Sequence, residues 1–116
     1  MITIDTGDPA LLLVTVELPR LDAAASMAFK EQVRQHAQAG TGRVMLDMHR
    51  VEFLDSSGLG ALVAIMKALG GGRRLELARC GDAVRKVLAL TRMDQIFVLH
   101  DALPNCAAGG PDQTAA

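Results

Sequence analysis

The sequence predicts an α/β domain built on a small mixed sheet, and three observations carry that prediction. The first is alternation. Strand-like and helix-like segments follow one another as β-β-α-β-α-β-α-β, an order that calls for parallel crossovers after an initial hairpin. The second is an abrupt change of period. Val51, Phe53 and Leu54 are bulky and strand-prone, whereas Leu59, Leu62, Val63, Met66 and Leu69 recur at helical spacing. The change falls on Asp55-Ser56-Ser57-Gly58. The third is size and composition. The 116 residues are half hydrophobic, with no Trp, no Tyr and 3 Phe, so the core of one domain must be built from Leu, Val, Ile, Met and Ala.

Taken in order, residues 1–5 predict a short strand that Gly7-Asp8-Pro9 breaks. Residues 11–18 predict a second strand, and the two make a hairpin. Leu11-Leu12-Leu13-Val14 is apolar on both faces, as in a strand covered on both sides, and Thr15 and Glu17 polarise one face near its end. Asp22 is a good N-cap, because its carboxylate accepts from free backbone N–H groups, and a helix is expected over 23–39. Phe29, Val33 and Ala37 form its apolar stripe, and Gly40-Thr41-Gly42 ends it. Residues 43–48 predict a third strand, with Val44, Leu46 and Met48 on one face and Met45 and Asp47 on the other.

A buried strand over 51–54 then leads into the Asp-Ser-Ser-Gly corner and a helix to about Leu69. Gly70-Gly71-Gly72 stops that helix; these glycines follow a helix rather than a strand, so they read as a C-terminal turn and not as a phosphate-binding loop. Residues 74–78 predict a strand with Leu75 and Leu77 inward and Glu76 outward. Asp82 is the expected cap of a helix reaching about Arg92, with Val84, Val87, Leu88 and Thr91 on one face, and 96–99 is a last short strand. From Pro104 onward Ala, Gly, Pro, Asp, Gln and Thr dominate. The expected division is a domain over 1–103 and a disordered tail over 104–116.

Composition excludes several functions. Twelve Lys+Arg against 13 Asp+Glu give a formal charge of −1, which is no footprint for nucleic acid. Cys80 and Cys106 form no motif, and His36, His49 and His100 lack metal-ligand spacing, so neither metal nor cofactor is expected. The first residues lack a basic stretch before an apolar one, which predicts no signal peptide. No apolar run approaches the ~20 residues of a membrane span. A soluble, cytoplasmic protein is expected.

The chemistry, if any, lies in the Asp55-Ser56-Ser57 corner. As a nucleophile Ser56 would need a base and an oxyanion site. No Gly-x-Ser-x-Gly elbow is present and no His is placed beside it, so the chain does not read as an enzyme. A helix N-terminus attracts anions, but Asp55 and Asp22 oppose that here, and no aromatic is present to stack a base. Anion binding stays open beside two further readings, a capped structural turn and a phosphorylation switch on a protein-binding surface. Gly58 and Gly60 each weaken a new helix by about 1 kcal/mol relative to Ala and leave its first turn open to close approach.

Phe53-Leu54-Asp55-Ser56-Ser57-Gly58-Leu59-Gly60 resembles the signature of the STAS domain family, the sulfate-transporter and anti-sigma-factor-antagonist fold. More narrowly it is similar to the small free-standing anti-sigma-factor antagonists. The resemblance covers roughly 11–99 and implies a STAS-like single domain, a mixed sheet with helices packed on one side. Family members often finish with another amphipathic helix, for which Asp101-Ala102-Leu103-Pro104 allows only a stub.

The resemblance also implies a function. Ser56, directly after the Asp, would be the phosphoacceptor. The unphosphorylated protein would bind a serine kinase that doubles as an anti-sigma factor and brings its own ATP and Mg²⁺. A metal-dependent serine phosphatase would reset it. Leu21-Asp22 matches the family's Leu-Asp at the partner surface, while the commoner Gly-Glu before it is replaced by Pro19-Arg20. The expected partner-binding residues are Asp22, Asp55, Ser56, Ser57, Gly58, Leu59 and Gly60, with the outward side of the following helix, on a protein that is a monomer when free. The alternative is a non-switching STAS scaffold, or a small-ligand or nucleotide-binding module in a larger sensory complex.

Overall fold

The computed structural model describes residues 2–8, 10–38, 42–70 and 73–104. The strands are β1 (Ile2–Asp8), β2 (Leu11–Val16), β3 (Arg20–Leu21), β4 (Arg43–Asp47), β5 (Phe53–Leu54), β6 (Glu76–Ala78) and β7 (Val98–His100). The helices are α1 (Ala23–Gln38), α2 (Ser56–Leu69) and α3 (Asp82–Leu90), with a 3-10 turn over Met93–Gln95.

The main sheet has 5 strands in the order β1-β2-β4-β6-β7. β1 is antiparallel to β2, and every other pair is parallel. The alternation read from the sequence therefore gives a mixed sheet with helical crossovers. The helices cover one face. Val14, Val16, Val44, Leu46, Leu75 and Leu77 from the sheet meet Phe29, Val33, Leu62, Ile65, Val84 and Leu88 from the helices in one buried cluster. The opposite face carries a smaller cluster of Leu11, Leu13, Met45 and Ala78, against which Leu103 packs.

Several local expectations are corrected. β1 runs through Gly7 to Asp8, because Asp8 still pairs with Leu11 after an irregularity in the ladder; Pro9 lies outside the described residues. The strand expected over 51–54 shrinks to β5, and it pairs with β3 in a separate two-stranded ladder instead of joining the main sheet. Phe53 is not buried there: it is 37% exposed, and the Arg20 guanidinium lies over its ring 4.1 Å from the centroid. Gly81, not Asp82, is the N-cap of α3, because its extended backbone (φ −75, ψ 174) makes the entry, leaving Asp82 in the first turn. α3 stops at Leu90, short of Arg92, whose left-handed backbone (φ 61) starts the 3-10 turn and moves the last strand to 98–100.

Glu76 is also placed differently from expectation. It points away from the main core, as the alternation requires, but it is 7% exposed and clasped by Arg43 at 2.8 and 2.7 Å and by His100 at 2.8 Å. Asp47, on the same face, is 1% exposed and bonded to Arg79 and His49. The expected tail lies outside the described residues from 105 onward, Cys106 included. Cys80 is free and buried, and burial pushes its thiol up to about 11, which leaves it a packing residue rather than a nucleophile.

Candidate functional site

The Asp-Ser-Ser corner is built by two chain segments in parallel register. In the β3–β5 ladder Arg20 faces Phe53 and Leu21 faces Leu54. The next residue on each segment is an aspartate, and each aspartate caps a helix. The Asp22 side chain accepts from the N–H groups of Ala24 at 3.2 Å and Ala25 at 3.3 Å. The Asp55 side chain accepts from Gly58 N–H at 3.0 Å. Two helix starts thus stand side by side, and α1 and α2 pack along one another behind them.

Backbone bonds lock the two segments together. The Pro19 carbonyl accepts from the N–H groups of Glu52 at 2.7 Å and Phe53 at 3.1 Å. The Leu21 carbonyl accepts from Asp55 N–H at 3.3 Å. Arg20 donates to Asp22 at 3.3 Å. That bond holds the Asp22 carboxyl below the usual carboxylate range against a smaller opposing effect of desolvation, so the corner carries an ionised acid at neutral pH.

The glycines of the corner do different work. Gly58 is buried under the turn. A Cβ there would overlap the Leu21 carbonyl oxygen and lie 2.7 Å from Leu54 Cδ1, so only glycine lets α2 start this close to β3. Gly60 is exposed, with nothing within 4 Å of a Cβ position. Ser56 and Ser57 are exposed, and neither hydroxyl makes a hydrogen bond to the described residues. The cap is already made by Asp55, so α2 needs nothing from them.

The structure therefore brings Asp22, Asp55, Ser56, Ser57 and Gly60 together at one corner. Leu59 is half-buried and packs on the core, and Gly58 belongs to the packing beneath the surface rather than to the surface itself. The corner lies beyond the carboxyl ends of β2 and β4, the edge where open α/β sheets generally place their sites.

One feature was not read from the sequence. A groove of about 260 Å³ lies between the helices, lined by Ala23, Ser26, Met27 and Lys30 of α1 and by Ser57, Gly60, Ala61 and Ala64 of α2. Met27 is 72% exposed. The available signal was its place off the Phe29-Val33-Ala37 stripe, an apolar residue on a face that should be polar. Ala61 is buried there, so the charge-free stretch of α2 partly serves packing against α1. Among the described residues there is no group of three or more metal-ligating side chains, and no helix is long and apolar enough to cross a membrane.

Comparison with known proteins follows the same outline. The family model for the STAS domain matches residues 3–106. A STAS-domain containing protein of Pseudomonas aeruginosa is 33% identical over 79 residues, spanning 67% of this chain and 77% of its own. The anti-sigma-F factor antagonist RsfB of Mycobacterium tuberculosis is 27% identical over 113 residues, spanning 94% of this chain and 90% of its own. The crystal structure of an anti-sigma factor antagonist from Mycobacterium paratuberculosis shares the fold with a TM-score of 0.78 at 24% identity, covering 97% of this chain and 94% of that one.

Proposed function

This chain belongs to the STAS domain family and is homologous to anti-sigma-factor antagonists, and from that premise we propose that it is the antagonist of a partner-switching system controlled by phosphorylation of Ser56. Unphosphorylated, it binds a serine kinase that also acts as an anti-sigma factor. That kinase, with its own ATP and Mg²⁺, phosphorylates Ser56 and lets the protein go, and a metal-dependent serine phosphatase restores the binding form.

One observation carries this reading. Ser56 is the first residue of α2, exposed and with a hydroxyl that makes no hydrogen bond to the described residues, on a helix whose cap is already made by Asp55. A hydroxyl with no structural duty can gain and lose a phosphate without disturbing the fold. The phosphate adds a charge of roughly −1.5 to −2 and three acceptor oxygens. Inside the protein the effect is small: the helix N-terminus favours the anion by about 0.3–1 kcal/mol, and Asp22 and Asp55 oppose it. At an interface the same dianion must be desolvated or excluded, which costs several kcal/mol unless the partner pairs it. The energetic change therefore falls on the complex.

Ser57 lines the α1–α2 groove, where a partner side chain would cover it. Phosphopeptide mapping of the protein isolated from its native cells is expected to place the phosphate on Ser56, and Ser56→Ala should abolish labelling while keeping the kinase bound. Phosphate found on Ser57 alone would overturn the assignment. A protein that is never phosphorylated and copurifies with no kinase would be a scaffold instead.

A further inference from the structure

The amino-terminal edge of the parallel strands lies at the far end of α2 from Ser56, about 21 Å away for a helix of 14 residues. Two open hollows meet there, of about 470 and 420 Å³, and both are lined by Arg73 and Arg74. Arg73 donates to the carbonyls of Gly42 at 2.7 Å and Leu69 at 3.0 Å. Arg74 donates to the carbonyls of Ile96 at 3.1 Å and Gln95 at 3.1 Å. These bonds fix both guanidinium groups in place, yet neutral carbonyls cancel none of their charge. Lys67 adds a third cation, exposed and without an ion pair among the described residues. Among the described residues Glu76 is the only acid in either lining, and Arg43 and His100 already hold it. On a chain of net charge −1 this is a local concentration of positive charge with its side chains pre-positioned.

The cleft also has apolar contacts to offer. Ile96 is 38% exposed and Met66 is half-buried, both lining the first hollow. The two hollows share Arg73 and Arg74 in their linings, so a chain laid across both would meet both guanidinium groups. We propose that this edge is a docking cleft for an extended segment of a protein partner that carries both acidic and apolar side chains. Carboxylates would pair with Arg73, Arg74 and Lys67, and an apolar residue would seat on Ile96 and Met66. The site does not involve Ser56, so a partner held here would stay in reach while the switch corner changes state.

The test uses the full chain and a fluorescent synthetic peptide of alternating Glu and Leu, followed by anisotropy at low and at physiological salt. The peptide should bind, more weakly at the higher salt because exposed charges are screened. Lys67→Glu should weaken it about tenfold, the equivalent of about 1.4 kcal/mol, through like-charge repulsion. Arg74→Gln should weaken it as well. Since Arg74 also ties down the 95–97 backbone, melting curves accompany both variants, and Lys67→Glu alters a side chain with no structural bond. Amide shifts should cluster around Lys67, Arg73 and Ile96, and Ser56→Asp should leave affinity unchanged. Absent binding, affinity untouched by Lys67→Glu, or shifts confined to the Ser56 corner would each overturn the proposal. Equal binding of a Glu-Ser peptide, or displacement by inorganic phosphate, would make this a bare anion site and overturn the peptide assignment.

Discussion

Gly58 and Gly60 are two positions apart on one helix and have opposite surroundings. A methyl group on Gly58 would run into the Leu21 carbonyl oxygen, a backbone atom that cannot swing aside. Gly58→Ala should therefore lower unfolding free energy by about 1–3 kcal/mol, the usual cost of overpacking, despite the better helix propensity of alanine. Gly60 faces open space, and Gly60→Ala should raise stability by about 0.5–1 kcal/mol. Urea denaturation of the two variants should move the midpoints in opposite directions; a shift in the same direction would contradict the packing described. Gly60→Arg should fold normally and still lose at least tenfold in affinity for the kinase proposed above as its partner, about 1.4 kcal/mol, which calorimetric titration would show. In the sequence both glycines belong to one Gly-Leu-Gly and look alike. What separates them is Leu21, which reaches Gly58 only through the β3–β5 ladder, so their different roles could not be read from local pattern.

The elements that present the corner are two helix starts with independent caps. Because Asp55 supplies the cap of α2, Ser56→Asp should leave the melting transition in place, and the added acid in the first turn complements the helix dipole. Asp55→Ala, by contrast, removes the acceptor for Gly58 N–H and should cost about 0.5–2 kcal/mol. Circular dichroism melting of the pair tests both, and a collapse of Ser56→Asp alone would mean the hydroxyl is structural. These helices were legible because aspartate caps and 3.6-residue periodicity are local signals. The ladder between them was not, since two paired residues leave no periodicity and Arg20–Leu21 finds Phe53–Leu54 only in the folded chain. The ends of α3 were missed for a related reason. Gly81 offers no side chain to read as a cap, and Arg92 adopts a left-handed terminating conformation usually left to glycine.

At the scale of the whole molecule, the sheet has a hydrophobic face under the helices and a second face where charge is buried. Period-two alternation put Asp47 and Glu76 on that second face, but alternation cannot say whether a face meets solvent. Here each carboxylate is covered and held by an arginine and a histidine: Asp47 by Arg79 and His49, Glu76 by Arg43 and His100. Burial pushes the Asp47 carboxyl up, yet the bonds from Arg79 and His49 outweigh it and leave it below the ordinary range. At Glu76 the Arg43 bond is the largest influence and lowers the carboxyl, against burial and with help from His100. A carboxyl whose folded pKa is depressed adds stability that is present above the unfolded value of about 4 and is lost as pH falls through the folded value. The protein should therefore hold its stability from neutral pH down to about 5 as far as these two groups decide it, then lose it steeply at lower pH. Asp47→Asn removes one of the two charges from this linkage. It should cost about 1–3 kcal/mol at neutral pH, where Arg79 loses its ionic partner, and make the acid limb of the stability curve shallower than in the wild type. Urea denaturation between neutral pH and pH about 3 measures both effects together. A variant that loses stability in acid as steeply as the parent would show that Asp47 is not among the groups that bind protons on unfolding.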